Sequence, residues 1–272
     1  MGRTDLIALL PEIAIIARKA GEAILRVYDG EFEVRSKQDK SPLTEADLAS
    51  HHVIQEALSR LTPDIPVLSE EDANMPFEER SKWEQYWLVD PLDGTKEFVN
   101  RNGEFTVNIA LISGHVAVLG VVLVPVTGAC YLGIPGHGAQ LQEGSHPPRA
   151  ISARQPHARP IVVVGSRSHA NPVLESHLAA LGEYEMVSMG SSLKFCLLAE
   201  GKADFYPRLG PTSEWDTAAA HAVVTAAGGQ IVRLDGSPLE YNTKESLLNP
   251  EFLVYADSSV DWPALFTGYR CG

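Results

Sequence analysis

The chain has 272 residues, of which 44% are hydrophobic and 21% are charged, and its formal net charge is −13 at pH 7. This length and composition fit a soluble globular protein of one large or two modest domains. A surface this acidic repels nucleic acid and anionic lipid, so we expect no nucleic-acid partner. The longest uncharged apolar run, 116–126, is too short to span a bilayer, so we expect no transmembrane segment.

The three cysteines are far apart and show no CxxC spacing: Cys130, Cys196 and Cys271. This pattern favours free thiols in a reducing compartment and argues against a zinc site. The N-terminal segment carries Asp5 and Glu12 among its apolar residues, which predicts an amphipathic helix and not a signal peptide. We therefore expect a cytoplasmic protein, with peripheral association with the inner membrane left open.

Hydrophobic periodicity assigns most of the chain to helices and strands. In chain order it predicts helices at 4–28 and 45–61, a strand at 85–90, a hairpin of 105–112 and 115–125, a strand at 129–134, a proline-rich linker or irregular crossover at 143–160, a strand at 161–166, helices at 171–181, 191–201 and 215–228, a strand at 252–256 and a tail from 258. This order predicts layered α and β elements in two lobes, 1–150 and 151–272, with a cleft between them.

Two acids, Asp90 and Asp93, follow a predicted buried strand. Because proline cannot continue a strand ladder, we expect the chain to turn at Pro91, and Gly94 permits a sharp backbone path. Such a turn directs both carboxylates and the Leu92 carbonyl towards one point. These hard oxygen ligands are the ones that Mg²⁺ prefers. The alternative is a solvated acidic turn, since Asp and Gly are common turn formers.

Other acids occupy comparable positions. Glu70 and Glu71 end a short apolar strand, and Asp216 stands at a predicted helix start. Thr44 and Asp47 have the spacing of a helix capping box. Each position also has a structural explanation, as a solvated loop, a favourable helix N-terminus or a simple cap.

Taken together, these segments resemble the lithium-sensitive, Mg²⁺-dependent phosphomonoesterases of the inositol monophosphatase superfamily. The matching motifs are the 70–71 acidic pair, DPLDGT at 90–95, WD at 215–216 before an alanine-rich helix and GG at 228–229, and TxxD at 44–47. They follow the family's order over about residues 10–258. The resemblance implies an α/β fold of layered α+β type, an αβαβα sandwich as in inositol monophosphatase and fructose bisphosphatase.

The resemblance also implies a role for each acid. Two or three Mg²⁺ ions would be held by Glu70, Asp90, the Leu92 carbonyl, Asp93 and Asp216. Asp47 and Thr95 would orient and deprotonate the attacking water, with Asp47 accepting the Thr95 hydroxyl proton. Glu71 would position a metal-bound water from behind the ligands. Backbone amides of Gly94, Thr95 and Lys96 would bind phosphate if a helix begins there.

Three segments favour the 3′(2′),5′-bisphosphate nucleotidase branch of the superfamily: DGTKEF at 93–98, GSRSHAN at 165–171 and the segment that begins GSSLKF at 190. By this resemblance, the nucleotide and its non-scissile phosphate would contact His169, Ser191, Lys194 and Arg208. A bisphosphate needs a second anion site away from the metals, and an arginine can bind phosphate in a bidentate manner. Individually, such residues are more often surface charges, turn residues and helix caps than ligand contacts.

The resemblance to this branch implies that the substrate is adenosine 3′,5′-bisphosphate, hydrolysed to AMP and phosphate in sulfur assimilation, with phosphoadenosine phosphosulfate as a second substrate. An inositol-1-phosphate or fructose-1,6-bisphosphate phosphatase is the alternative, and would share the metal acids but not the segments at 165–171 and 190–195. A non-catalytic metal-binding protein is a more remote alternative, and the sequence lacks EF-hand spacing. We expect a monomer or a homodimer.

Overall fold

The computed structural model describes residues 3–31, 34–36, 42–155, 159–165, 177–178 and 181–266. Its helices are α1 (Arg3–Tyr28), α2 (Glu45–Leu61), α3 (Phe77–Arg80), α4 (Thr95–Val99), α5 (Leu193–Ala199) and α6 (Glu214–Ala226). Its strands are β1 (Val34–Ser36), β2 (Pro42–Thr44), β3 (Val67–Ser69), β4 (Gln85–Asp93), β5 (Thr106–Ser113), β6 (Val116–Val124), β7 (Ala129–Ile134), β8 (Gly138–Glu143), β9 (Arg149–Ile151), β10 (Ile161–Gly165), β11 (Tyr184–Ser188), β12 (Phe205–Arg208), β13 (Gln230–Arg233) and β14 (Phe252–Tyr255).

Within the described residues, the strands form two large sheets and one two-stranded antiparallel sheet. The first sheet has seven strands in the order β3-β4-β5-β6-β7-β8-β9, and only its β3–β4 pair is parallel. The second has five strands in the order β11-β10-β12-β14-β13, with β10 parallel to both of its neighbours. Strands β1 and β2 pair with each other.

Helices and sheets alternate in layers. Helices α1 and α2 cover one face of the seven-stranded sheet, where Ile13, Ile24 and Ile54 join an apolar cluster. Helix α6 packs on the other face, and a second apolar cluster there includes residues of both large sheets. The outer face of the five-stranded sheet is covered by Leu178 and Trp262. This αβαβα order confirms the predicted fold class, whereas the division into lobes at residue 150 stays a prediction.

Helix α6 lies unusually close to the seven-stranded sheet. A Cβ atom built on Gly120 of β6 would stand 2.0 Å from the carbonyl oxygen of Ala219, and one built on Gly133 of β7 would stand 2.5 Å from Cα of Val223. No side chain fits in that space, so the two glycines set the distance between helix and sheet. They thereby also fix the position of the first turn of α6, which carries Asp216.

Most predicted elements are confirmed with small shifts of their ends: both N-terminal helices, the 105–125 hairpin, the strands at 85–90, 129–134, 161–166 and 252–256, and the helices at 191–201 and 215–228. The predicted helix at 171–181 falls largely outside the described residues. The predicted linker at 143–160 contains the edge strand β9. No helix among the described residues is both long and apolar enough to cross a bilayer.

The predicted C-terminal tail is wrong as far as the structure describes it. Trp262 is fully buried, stacks on Phe205 at 4.6 Å between ring centroids, and donates its indole N–H to the Asp257 carbonyl at 2.7 Å. Phe266, on a short 3₁₀ turn, is buried in the same cluster. Two aromatic rings in a polar stretch leave no periodicity in the sequence, yet they cover an apolar sheet face that would otherwise meet water.

Candidate active site

The acids of β4 face the same side of the sheet because of a β-bulge. Asp90 pairs with Asn108 and Asp93 with Thr106, so three steps along β4 match two along β5. In a regular strand, residues three apart point to opposite faces, and the extra residue turns both carboxylates to one face. The predicted turn at Pro91 is therefore wrong. The strand continues to Asp93, since proline is tolerated at a bulge.

The chain turns after Asp93 and starts helix α4 at Thr95. Gly94 has a φ of 94°, a conformation that glycine adopts without strain. The Thr95 hydroxyl lies 3.2 Å from Oδ1 of Asp47 and 3.4 Å from the Leu92 carbonyl oxygen. Oδ2 of Asp47 accepts bonds from the Thr44 N–H at 2.8 Å and hydroxyl at 2.7 Å. The fold thus brings the predicted water-activating pair into contact and holds its carboxylate in place from α2.

Two more acids reach this region from other elements. Strand β3 runs parallel to β4 with Ser69 beside Val89, so Glu70 follows at the strand end next to Asp90. Glu71 is the next residue of the same 3₁₀ turn, and it is half-buried. Asp216, in the first turn of α6, accepts bonds from the Thr212 hydroxyl at 2.6 Å and from the Ser213 N–H at 2.8 Å.

The buried acids raise one another's pKa. Burial raises the pKa of Asp90 well above its usual range, and Glu70, Asp93 and Asp216 raise it further. Burial and then Asp216 raise the pKa of Asp93 to about 7. Burial also raises the pKa of Asp216, although the bond from Thr212 opposes this shift. Buried carboxylates that repel one another in this way need compensating positive charge.

The donor set fits magnesium. All the predicted ligand atoms are carboxylate or carbonyl oxygens, the type that Mg²⁺ prefers over the nitrogen and sulfur ligands of zinc. As these side chains stand, no three acidic, histidine or cysteine groups among the described residues are close enough together to hold an ion between them.

A pocket joins these acids to the cations of the second half. Besides Asp93 and Asp216, its lining includes Ser191, Lys194, Tyr206 and Arg208. The Lys194 ammonium donates to the Ser191 carbonyl at 2.6 Å and to the Met189 carbonyl at 3.4 Å, and lies 5.7 Å from the centre of the Tyr206 ring. Burial lowers its pKa to about 8. The Arg208 guanidinium donates to the carbonyls of Gly210 and Pro211.

Of the four residues predicted to contact the nucleotide and its second phosphate, the structure therefore places three in one pocket with two of the predicted metal ligands. His169 lies outside the described residues. Ser191 has a φ of 47°, which is strained for a residue with a side chain and is typical of functional sites.

Sequence reasoning missed several polar residues around the acids. Ser192 donates its N–H to Oδ2 of Asp93 at 2.5 Å, and Thr212 supports Asp216. Thr106 and Asn108 lie on β5 opposite the two acids of β4. The available signal was the polar pair at 106 and 108 in an otherwise apolar strand, which is unusual for a fully buried face.

Comparisons with known proteins agree with this architecture. The inositol monophosphatase family matches residues 10–259. The chain is 53% identical over 248 residues to the 3′(2′),5′-bisphosphate nucleotidase CysQ of Escherichia coli strain K12, an alignment that covers 90% of this chain and 99% of that protein. It is 41% identical over 263 residues to the CysQ of Aggregatibacter actinomycetemcomitans, which covers 95% of this chain and 96% of that protein.

Solved structures show the same fold. CysQ from Bacteroides thetaiotaomicron superposes with a TM-score of 0.76 at 42% identity and covers 90% of this chain and 97% of that one. An inositol monophosphatase from Anabaena superposes with a TM-score of 0.74 at 23% identity and covers 98% of each chain, a likeness of fold alone. The predicted family and fold are thus confirmed, and the chain belongs to the inositol monophosphatase family.

Proposed function

We propose that the protein is a Mg²⁺-dependent 3′(2′),5′-bisphosphate nucleotidase that hydrolyses adenosine 3′,5′-bisphosphate to AMP and phosphate. Phosphoadenosine phosphosulfate is its second substrate, and its place is in sulfur metabolism. The observation that carries the proposal is that one pocket is lined both by the carboxylates of Asp93 and Asp216 and by the cations of Lys194 and Arg208. Such a pocket offers separate sites for a scissile and a non-scissile phosphate. Relatives at 53% and 42% identity carry the CysQ name.

Five groups would hold two or three Mg²⁺ ions: Glu70, Asp90, the Leu92 carbonyl, Asp93 and Asp216. When bound, the ions neutralise the phosphate oxygens, lower the pKa of a bound water and stabilise the leaving oxygen. The bulge at Pro91 contributes to metal binding in this proposal, because it puts the carboxylates of Asp90 and Asp93 on one face of β4.

The pair Asp47 and Thr95 would orient and deprotonate the attacking water. Because the Thr95 hydroxyl donates to Oδ1 of Asp47 at 3.2 Å, its oxygen has lone pairs free to accept a water proton. As the water attacks phosphorus in line with the leaving oxygen, the Thr95 proton passes to Asp47. Because helix α4 begins at Thr95, the amides of Gly94 and Thr95 would bind the phosphate, and Glu71 would position a metal-bound water.

Lys194 and Arg208 would bind the second phosphate. Two donors of the Lys194 ammonium point to backbone carbonyls, which leaves its third donor for an anion. A charge-assisted bond in a site this buried is stronger than the same bond in water. Ser191 and His169 complete the proposed nucleotide contacts.

The two parts of the chain contribute different residues to the site. In this proposal residues 1–150 supply most metal ligands, while residues 151–272 supply Asp216 and the second-phosphate site. Cys130 and Cys196 are free, buried thiols, which supports the expected cytoplasmic location. Peripheral association with the inner membrane and a monomeric or homodimeric state stay predictions.

The test is phosphate release by the purified protein with Mg²⁺. Adenosine 3′,5′-bisphosphate, inositol-1-phosphate and fructose-1,6-bisphosphate would be compared at equal concentration. We expect strong preference for the nucleotide, and loss of activity in Asp93→Asn but not in Asp64→Asn, an exposed acid in the loop before β3 that belongs to none of the motifs. Preference for a sugar or inositol phosphate would overturn the substrate assignment and leave the metal assignment standing.

A further inference from the structure

Three buried polar side chains connect a predicted metal ligand to the substrate segment, which we define as residues 190–194. They are Thr106 and Asn108 of β5 and Ser192 before α5, and each is at most 1% exposed. We propose that these three residues, the hydroxyl–amide cluster, position Asp93 for the metal and tie the substrate segment to the same carboxylate. The proposal rests on the function proposed above for this pocket.

The hydroxyl–amide cluster lies on a face of β5 that is polar at the start of the strand and apolar further along. Further along the strand, the same face carries Ala110 and Ile112, which are packed in the apolar cluster beneath α6. At its start the face carries Thr106 and Asn108, which are fully buried although polar. Burying polar groups costs free energy unless every group is hydrogen-bonded. Apolar residues at these two positions would be buried at a lower cost in free energy, so the polar pair indicates a functional role.

The hydrogen bonds form a ring that points donors towards Asp93. The Asn108 amide N–H donates to the Thr106 hydroxyl oxygen at 3.2 Å, and its oxygen accepts the Ser192 hydroxyl at 2.8 Å. Because the Ser192 hydroxyl proton is used there, the Thr106 hydroxyl donates to the Ser192 hydroxyl oxygen at 2.8 Å and shares this one proton with Oδ2 of Asp93 at 3.4 Å. The Ser192 N–H donates to the same Asp93 oxygen at 2.5 Å.

A second contact holds the substrate segment to the same part of the fold. Gly190 donates its N–H to Oε2 of Glu104 at 2.8 Å, in the loop that leads into β5. A Cβ on Gly190 would lie 2.8 Å from Cγ of Glu97 and 3.0 Å from the Glu104 carbonyl oxygen, so the segment is closely packed there. The segment that carries Lys194 is therefore attached to the first half of the chain at two points, and one of them is the carboxylate of Asp93.

The arrangement makes metal affinity and substrate affinity depend on one set of bonds. Both donors, the Ser192 N–H and the shared Thr106 hydroxyl, go to Oδ2 of Asp93, so Oδ1 would face the ion. Outer-shell partners of this kind typically change metal affinity by about 10- to 100-fold when they are removed. Loss of the Thr106 hydroxyl should also loosen Ser192, and with it the carbonyl of Ser191 that orients Lys194.

The experiment compares four forms of the full chain: wild type, T106V, T106S and T62V. Val keeps the shape of Thr without its hydroxyl, and Ser restores the hydroxyl. Thr62 is the matched control, because its hydroxyl is also buried and bonded, to the Leu58 carbonyl and the Trp87 indole, at the opposite end of β4. Metal affinity is measured without substrate, from the Mg²⁺ dependence of the melting temperature and from Mn²⁺ binding by electron paramagnetic resonance.

We expect T106V to weaken Mg²⁺ and Mn²⁺ binding about tenfold and to raise KM for the nucleotide, T106S to stay near wild type, and T62V to melt earlier with unchanged metal affinity. Unchanged metal affinity in T106V, or an equal loss in T62V, would overturn the proposal. If T106V does not fold, S192A replaces it under the same criteria. Because the metal readouts use no substrate, the cluster can pass this test even if the nucleotide assignment fails.

Discussion

The closeness of α6 to the sheet makes Gly120→Ala a strong perturbation of the site. The new Cβ would stand 2.0 Å from the Ala219 carbonyl oxygen and 2.9 Å from the Ala222 Cβ, so α6 must retreat by about 1.4 Å to reach an ordinary contact distance of 3.4 Å. Overpacking of this kind typically costs about 1–3 kcal/mol. The first turn of α6 carries Asp216, and misplacing a reacting group by about 1 Å costs roughly 100-fold in rate.

We therefore expect Gly120→Ala to lose about 2 kcal/mol of unfolding free energy and roughly 100-fold in kcat/KM at saturating Mg²⁺. Urea unfolding and phosphate release measure the two effects. Gly30→Ala is the matched control, since its Cβ would meet its nearest neighbour, the Val27 carbonyl oxygen, at 3.6 Å. A Gly120→Ala protein with lowered stability but full activity would refute the link between helix packing and the position of Asp216.

Three further outcomes test other parts of the structure. Thr95→Val should lower kcat by about 100-fold or more, because it breaks the proton path to Asp47, and should change Mg²⁺ affinity much less, through the 3.4 Å contact with the Leu92 carbonyl; Thr95→Ser should restore most of kcat. In the metal-free protein, burial and then Asp216 raise the pKa of Asp93 to about 7, so the folded form binds this proton more tightly than the unfolded chain. Its unfolding free energy should fall as pH rises from about 4 to about 7, and Mg²⁺ should stabilise the protein more at pH 7.5 than at pH 5; an equal effect at both would contradict this. Trp262→Ala should cost about 3–5 kcal/mol in urea unfolding, whereas a dispensable tail would lose almost nothing.

The sequence predicted the chemistry of the site better than its geometry. Acids at the ends of short apolar stretches are visible as a pattern, and their resemblance to a known family gave each a role. The capping residues Thr44 and Asp47 were visible for the same local reason, since a capping box is a short-range motif. By contrast, proline at position 91 signals a break, and only the register with β5 shows a bulge. Whether a proline turns a strand or bulges it depends on the neighbouring strand.

The residues that support the acids were beyond local pattern. Thr106 meets Ser192 across 86 residues of sequence, and Trp262 meets Phe205 across a comparable gap. Such contacts are set by which faces the sheets and helices present to each other, and a lone Thr, Ser or Trp carries no sign of its partner. The two glycines beneath α6 likewise appear in the sequence only as interruptions of strands.

The central claim is that one pocket binds two phosphates, with the metals at one and Lys194 at the other. It is tested most directly by kcat/KM of wild type and Lys194→Met with adenosine 3′,5′-bisphosphate and with adenosine 3′-phosphate, which lacks the second phosphate. The account predicts that wild type prefers the bisphosphate and that Lys194→Met lowers this preference by about 10- to 100-fold, as expected for one hydrogen bond to a charged group. An equal loss on both substrates would contradict it, because Lys194 would then act only through the metal site.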